Sequence, residues 1–216
     1  FAQQRVTMNL GIGLGGLTAG WIAVVGEPTT FTVLFVLDAL TFPAYVVVLA
    51  FIHDPGVAPD EWSFRIDGMV GQEREWGWEE FHELAWETIP CDIHCVTKWS
   101  KLGTNFGGVS MDILLEEAEP LDAYSMVYSY GGYTTNLAIE DLTGGRAWLA
   151  TEHEGEPLPR EHGGPARLLV PHRYFWKSAK WVQGLRVMDH DEPGFWESNG
   201  YHNRGDPWKE ERYWTD

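Results

Sequence analysis

Cysteine is scarce in this chain: of 216 residues only Cys91 and Cys95 are cysteines, four apart. A disulfide closing so small a loop would stabilise little, so a disulfide framework is excluded and a reducing compartment or a functional thiol is expected. Positive charge is also short, with 15 Lys and Arg against 32 Asp and Glu and a formal net charge of -17. Non-specific attraction to nucleic acid, or of the molecule as a whole to an anionic membrane surface, is excluded on that balance. No basic cluster precedes the first apolar run and no twin-arginine pair occurs, so no cleavable signal is recognisable. The chain opens on Phe1 rather than Met, which we read as truncation of a longer protein.

Charge is nearly missing from residues 1–53, where Arg5, Glu27 and Asp38 stand alone. Two apolar runs fill this part, Val6 to Gly26 and Phe31 to Ile52, joined by Glu27-Pro28-Thr29-Thr30. Each approaches the ~20 apolar residues that a membrane-spanning helix needs. The expectation is an apolar helical hairpin over 1–53 that associates with a membrane through residues 6–52; a buried hairpin in a soluble core is the alternative. Gly11-Ile-Gly13-Leu-Gly15-Gly16 fits a dinucleotide fingerprint, yet no strand precedes it and no βαβ unit follows. Close helix approach through Gly11-xxx-Gly15 and Gly16-xxx-Gly20 is the preferred reading.

After a linker at 54–61 the composition becomes that of a folded body rich in indole, with 12 Trp in the whole chain. Strands are predicted at Trp62–Val70, Tyr124–Tyr130, Ala147–Thr151, Arg167–Val170 and Trp181–Met188, and short helices at Trp78–Ala85, Ser110–Ala118 and Leu137–Leu142. The mixture is α+β. Asp189 to Asp216, aromatic and aperiodic, is expected to wrap the surface or line a site.

Three groups of residues could carry chemistry. Cys91-Asp-Ile-His94-Cys95 is not the CxxCH of haem attachment and lacks a second ligand pair for structural zinc. His94 and Lys98 flank Cys95, whereas Asp92 adjoins Cys91, so Cys95 is the better thiolate and Cys91 the better buried thiol. Between 160 and 186, Arg160, Arg167, Arg173, Lys177, Lys180 and Arg186 face one acid, Glu161. Such a cluster in an acidic protein points to a bound anion, with Gly163-Gly164 and Ser178 as further donors; pairing with acids elsewhere is the bland alternative. Phe195-Trp196, Tyr201-His202-Asn203 and Trp208 offer an aromatic wall or ordinary packing.

These groups fall into one pattern. Asp92-Ile-His-Cys95-Val-Thr-Lys-Trp99-Ser, Gly132-Tyr-Thr-Thr-Asn136, His162-Gly-Gly-Pro-Ala-Arg167-Leu-Leu-Val-Pro171, Tyr174-Phe-Trp-Lys-Ser178-Ala-Lys180-Trp181 and Gly194-Phe-Trp196 with Gly200-Tyr-His-Asn-Arg-Gly205-Asp-Pro-Trp208 resemble the sulfite oxidase-like molybdopterin-dependent oxidoreductases. The likeness runs from about Trp62 to Trp214. It implies a domain at 62–216 with a curved, mostly antiparallel sheet, a molybdenum-molybdopterin cofactor, and two-electron oxygen-atom transfer on a small substrate such as sulfite or a sulfoxide. By the same resemblance Cys95 is the metal ligand, and His94, His162, Arg167, Ser178 (through its backbone) and Lys180 hold the cofactor. Tyr201 resembles the active-site tyrosine. A separate electron-transfer partner and a cytoplasmic, membrane-associated location are also expected. Phe1 to Ile52 resembles a central helix pair of a major-facilitator transporter, which implies ancestry or fusion. Family members carry a soluble segment before the Trp62 strand that contributes cofactor contacts. Its replacement here leaves two further readings, a catalytically empty fusion or truncated product and a soluble domain attached to a transporter fragment.

Overall fold

The computed structural model describes residues 15, 17, 19–24, 26–50 and 56–216, without side chains at 41, 42 and 44–50. The chain falls into two units, Phe1–His53 and Asp54–Asp216.

In the first unit one long helix is described, α1 (Pro28–Ala50), with Pro43 inside it. Most of the first apolar run, and with it most of the glycine fingerprint, lies outside the described residues. Among the described residues no helix is long and apolar enough to cross a membrane. The expected spanning pair, its transporter likeness and membrane association through residues 6–52 are therefore unsupported.

The second unit is α+β and built on two five-stranded sheets. The first joins β1 (Ser63–Gly68), β2 (Arg74–Gly77), β5 (Tyr124–Ser129), β6 (Thr134–Ala138) and β10 (Val182–Met188) in the order β2-β1-β10-β5-β6. Its pairings are antiparallel except β1 with β10, which run parallel with Arg65 opposite Gly184. The second sheet takes β3 (Trp86–His94), β4 (Ser100–Ser110), β7 (Trp148–His153) and β8 (Glu156–Pro157) in that order, with β9 (Arg167–Leu169) also on β7. All of its pairings are antiparallel.

Alternation explains β1: Phe64 and Ile66 point into the core, joined by the preceding Trp62, whose indole N–H donates to the Val182 carbonyl at 2.9 Å. Burying each such side chain contributes about 1.5–3 kcal/mol. Helix α2 (Trp78–His82) follows β2 directly and buries Phe81. Helix α3 (Met111–Ala118) begins at Ser110, whose hydroxyl accepts from the Asp112 N–H, and buries Met111, Leu114, Leu115 and Ala118, one stripe at helical spacing. Two short helices complete the set, α4 (Ile139–Leu142) and α5 (Phe195–Ser198). The five predicted strands and three predicted helices are present with shifted ends; Leu137 belongs to β6 rather than to α4.

Five strands were not predicted: β2, β3, β4, β6 and the two-residue β8. In β4, Gly107-Gly108 serves packing. A Cβ on Gly107 would lie 2.1 Å from Cζ2 of Trp86, and one on Gly108 2.0 Å from the Leu149 carbonyl oxygen. In β3 only Ile89 and Ile93 are buried, so its alternation is faint.

The β3–β4 hairpin reaches beyond the rest of its sheet. β4 meets β7 only from Phe106 onward, so nearer the turn no other strand of this sheet flanks the hairpin, and His94 bridges to Tyr174 instead. Cys95 sits at that turn. The segment after α5 lies over the same region, with Tyr201 bridged to Tyr213 and the Tyr174 N–H donating to the Gly205 carbonyl at 2.8 Å.

Candidate active site

Cys95 begins a tight turn in which its N–H donates to the Trp99 carbonyl at 2.9 Å and its carbonyl accepts from the Lys98 N–H at 3.1 Å. Lys98 takes a left-handed φ of 71° to close it. The Cys95 Sγ lies 3.0 Å from the Thr97 hydroxyl, and the thiol is half-buried. Cys91, on β3, packs against the smaller apolar cluster around Ile89, Ile93 and Phe106. Burial, then the Asp92 charge, pushes its thiol up to about 11.

Arg167 opens β9 and is buried. Its Nη1 donates to the His162 carbonyl and its Nη2 to the Ser178 carbonyl, both at 2.8 Å, and its Nε has no partner. Its guanidinium carbon lies 4.1 Å from the centre of the Phe175 ring. No carboxylate answers this cation, and desolvation pushes it down to about 9. Two cavities share Arg167. One of about 260 Å³ is lined by Tyr133, Phe175, Trp176, Ser178, Lys180, Trp181 and Trp196 besides Arg167. The other, about 210 Å³, includes Ile93, Trp99, Lys101, His153, His162 and Phe175.

The remaining expected residues are placed less directly. The Ser178 hydroxyl accepts from the Val170 N–H and its backbone N–H donates to the Phe175 carbonyl, so Ser178 acts here as a support for Arg167. Lys180 donates to the Glu161 carbonyl at 2.6 Å; burial, then Arg167, lowers its pKa. Gly163, at φ 105°, packs against Lys180, where a Cβ would meet its side chain at 2.9 Å. Cys95, His94 and Tyr201 line neither cavity; the Cys95 segment reaches the second through its neighbours, and Tyr201 packs on Trp176 and Trp196 of the first. Ile93 and Trp99 flank Cys95 and line the second cavity. His94 bonds Ser100 through its ring at 2.8 Å and bridges to Tyr174. Tyr201 stacks on Trp196 with centroids 4.8 Å apart and meets Trp176 edge-on at 5.0 Å. Burial, then the charges of Tyr213 and Cys95, raises its phenol pKa.

The six-cation cluster divides. Arg173 pairs with buried Asp141 at 2.7 Å, Lys177 with Glu197 at 2.6 Å and Arg186 with Asp67 at 2.7 Å. Those three serve the fold, Arg167 and Lys180 are the cations of the cluster that line the cavity, and Arg160 opens the turn before His162, its carbonyl accepting from the Trp181 indole at 2.9 Å. The sequence reading missed Arg212, whose Nη1 donates to the Val96 carbonyl at 2.8 Å. Nothing in its local spacing marks it.

Among the described residues no group of three or more His, Cys, Asp and Glu could hold a metal ion by itself. A metal at Cys95 must bring other ligands with it, as a dithiolene-bearing cofactor does. An aromatic cavity around an unanswered arginine suits the anionic, planar remainder of such a group.

A family model described as the oxidoreductase molybdopterin binding domain matches residues 52–196. The chain belongs to that family. The family implies a molybdenum cofactor, and its members are oxidoreductases. The "Uncharacterized oxidoreductase YuiH" of Bacillus subtilis is 40% identical over 158 residues, covering 72% of this chain and 80% of that protein. The "Putative protein-methionine-sulfoxide reductase subunit YedZ1" of Azospira oryzae is 28% identical, over 66% of this chain and 55% of its own length. The "Protein-methionine-sulfoxide reductase catalytic subunit MsrP" of Gluconobacter oxydans is 26% identical, over 64% and 50%. This chain thus spans about half the length of the two reductase relatives. Among solved structures, the sulfane dehydrogenase SoxCD from Paracoccus pantotrophus matches with a TM-score of 0.56 at 22% identity, covering 62% of this chain and 40% of that one. That likeness establishes the fold.

Proposed function

We propose that this member of the molybdopterin binding family carries out two-electron oxygen-atom transfer on a small oxygenated substrate, with a sulfoxide favoured over sulfite. Two relatives bear names of sulfoxide reductases, which supports the choice. The observation that carries the reading is Arg167, buried with no carboxylate partner among the described residues and lining two cavities, one of which also takes in Ile93 and Trp99 from either side of Cys95.

Cys95 supplies the protein's thiolate ligand. Arg167 and Lys180 neutralise the cofactor's phosphate, His162 lines the same space, and Ser178 fixes the guanidinium through its carbonyl. His94 holds the turn from its bridge to Tyr174. When bound, the cofactor supplies the oxygen-atom exchange and the electron pair. Tyr201, kept protonated by its surroundings, donates a hydrogen bond toward a substrate oxygen. Trp176 and Trp196 exclude water beside it. Electrons pass through a separate partner, a reading supported by two relatives being named as subunits.

The test is purification from a host that makes the cofactor. We expect about one molybdenum per chain, and reduction of methionine sulfoxide or dimethyl sulfoxide by a dye donor faster than oxidation of sulfite. A folded protein without molybdenum that cannot be reconstituted would overturn the enzyme reading in favour of a catalytically empty product.

A further inference from the structure

The turn carrying Cys95 stands at the tip of a hairpin that the rest of its sheet does not support. From outside the hairpin it is held by the His94–Tyr174 bridge, a contact of 3.1 Å between Lys101 Nζ and His153, the His94–Trp208 ring contact at 5.2 Å, and Arg212. Arg212 is the contact made to the turn itself. Its Nη1 donates to the Val96 carbonyl at 2.8 Å and reaches the Cys95 carbonyl at 3.5 Å. Its guanidinium carbon lies 4.8 Å from the centre of the Tyr174 ring, on the partner of His94. The side chain is 14% exposed. One planar cation therefore ties two successive carbonyls at the start of the cysteine turn while lying over the Tyr174 ring, a stacked arrangement that a lysine point charge does not reproduce.

Arg212 is itself fixed. Its carbonyl accepts from the His202 N–H at 3.1 Å, its N–H donates to Asp216 at 2.9 Å, and the strands beside it are joined by the Tyr201–Tyr213 bridge. Gly205 in the same strap passes so close to Trp176 that a Cβ would meet the indole at 2.7 Å. The family match stops at residue 196, before Arg212 and the stretch 200–214 that holds it.

We propose that Arg212 is a positioning residue that fixes the Cys95 turn for metal ligation, which makes the strap over residues 200–214 part of the active site. This rests on Cys95 being the metal-binding thiolate. A ligand on an unsupported hairpin tip swings with that tip, and removing the groups that orient a ligand commonly costs about 10–100-fold in metal affinity.

The experiment compares the parent holoenzyme with R212A, R212K and C95S. It reads molybdenum per chain after gel filtration, the visible sulfur-to-molybdenum absorption, and hydrogen exchange at the Cys95 and Lys98 amides. We expect R212A to hold metal about 10-fold less well, to shift that absorption, and to exchange faster at the two amides while β1 and β10 keep parental protection. R212K should recover part of the metal. An R212A protein with parental metal, absorption and exchange would overturn the proposal, as would faster exchange throughout the core, which marks a general contribution to folding. C95S that keeps its metal would remove the ligand reading itself, a result distinguishable from failure at Arg212.

Discussion

The guanidinium of Arg167 lies 4.1 Å over the ring of Phe175, bonded to two carbonyls and to no acid. A buried cation held this way gains when an anion arrives and is a burden when none does. Inorganic phosphate should therefore raise the melting temperature of the cofactor-free protein by ordinary linkage. R167M should lose that response and retain little molybdenum. Equal phosphate responses in a thermal scan of parent and R167M would contradict the role given to this arginine.

The two cysteines should separate cleanly. C95S should abolish molybdenum content and turnover in a folded protein, whereas C91A should keep both and lose a small amount of packing in the cluster around Ile89. Because burial and Asp92 hold the Cys91 thiol up near 11, it should alkylate slowly at pH 8. Metal analysis and peptide mapping after iodoacetamide treatment check both statements. Loss of metal in C91A with retention in C95S would reverse the assignment.

Lys177 and Glu197 form an ion pair at 2.6 Å with both side chains about 1% exposed. The same Glu197 oxygen accepts from Thr135 and from the Trp176 indole, each at 2.9 Å. K177M leaves that carboxylate buried without its cation, and should cost about 3–5 kcal/mol in urea unfolding. A K177M/E197L double variant should regain most of it. If K177M unfolds with the parent, the pair is not the desolvated anchor described here.

Asp141 gives the fold an acid limit. Desolvation pushes its carboxyl up, but hydrogen bonds from His172 and Arg173 and the Arg173 charge outweigh that and hold it down to about 2. A free aspartate titrates near 3.9. With the folded value the lower, its stabilisation is present above about pH 4 and is lost as pH falls toward 2. The stability gap between parent and D141N should be widest above pH 4 and close toward pH 2. Urea midpoints across this range that stay parallel would disprove the linkage.

How far the sequence could be read depended on how the residues are used. β1, β5 and β10 alternate because one face meets a thick core, and α3 shows its stripe for the same reason. The β3–β4 hairpin went unread because β3 buries only Ile89 and Ile93, and because Gly107-Gly108 answers the Trp86 ring and the Leu149 carbonyl with no apolar side chains to show an alternation. Arg167 and Lys180, singled out by charge and by family resemblance, line one cavity. Arg173, Lys177 and Arg186 carried the same signal and turned out to face acids, because Asp141, Glu197 and Asp67 are distant in sequence and only folding brings them near. Membrane length in residues 6–52 was read from composition alone, and no described helix bears it out.

The covering over the cysteine turn is one uninterrupted stretch, whereas the arginine cavity is assembled from β9 and from segments around residues 133, 162, 175 and 180. Substitutions confined to residues 200–214 can therefore reshape what covers the turn and leave untouched every residue that lines the two cavities around Arg167.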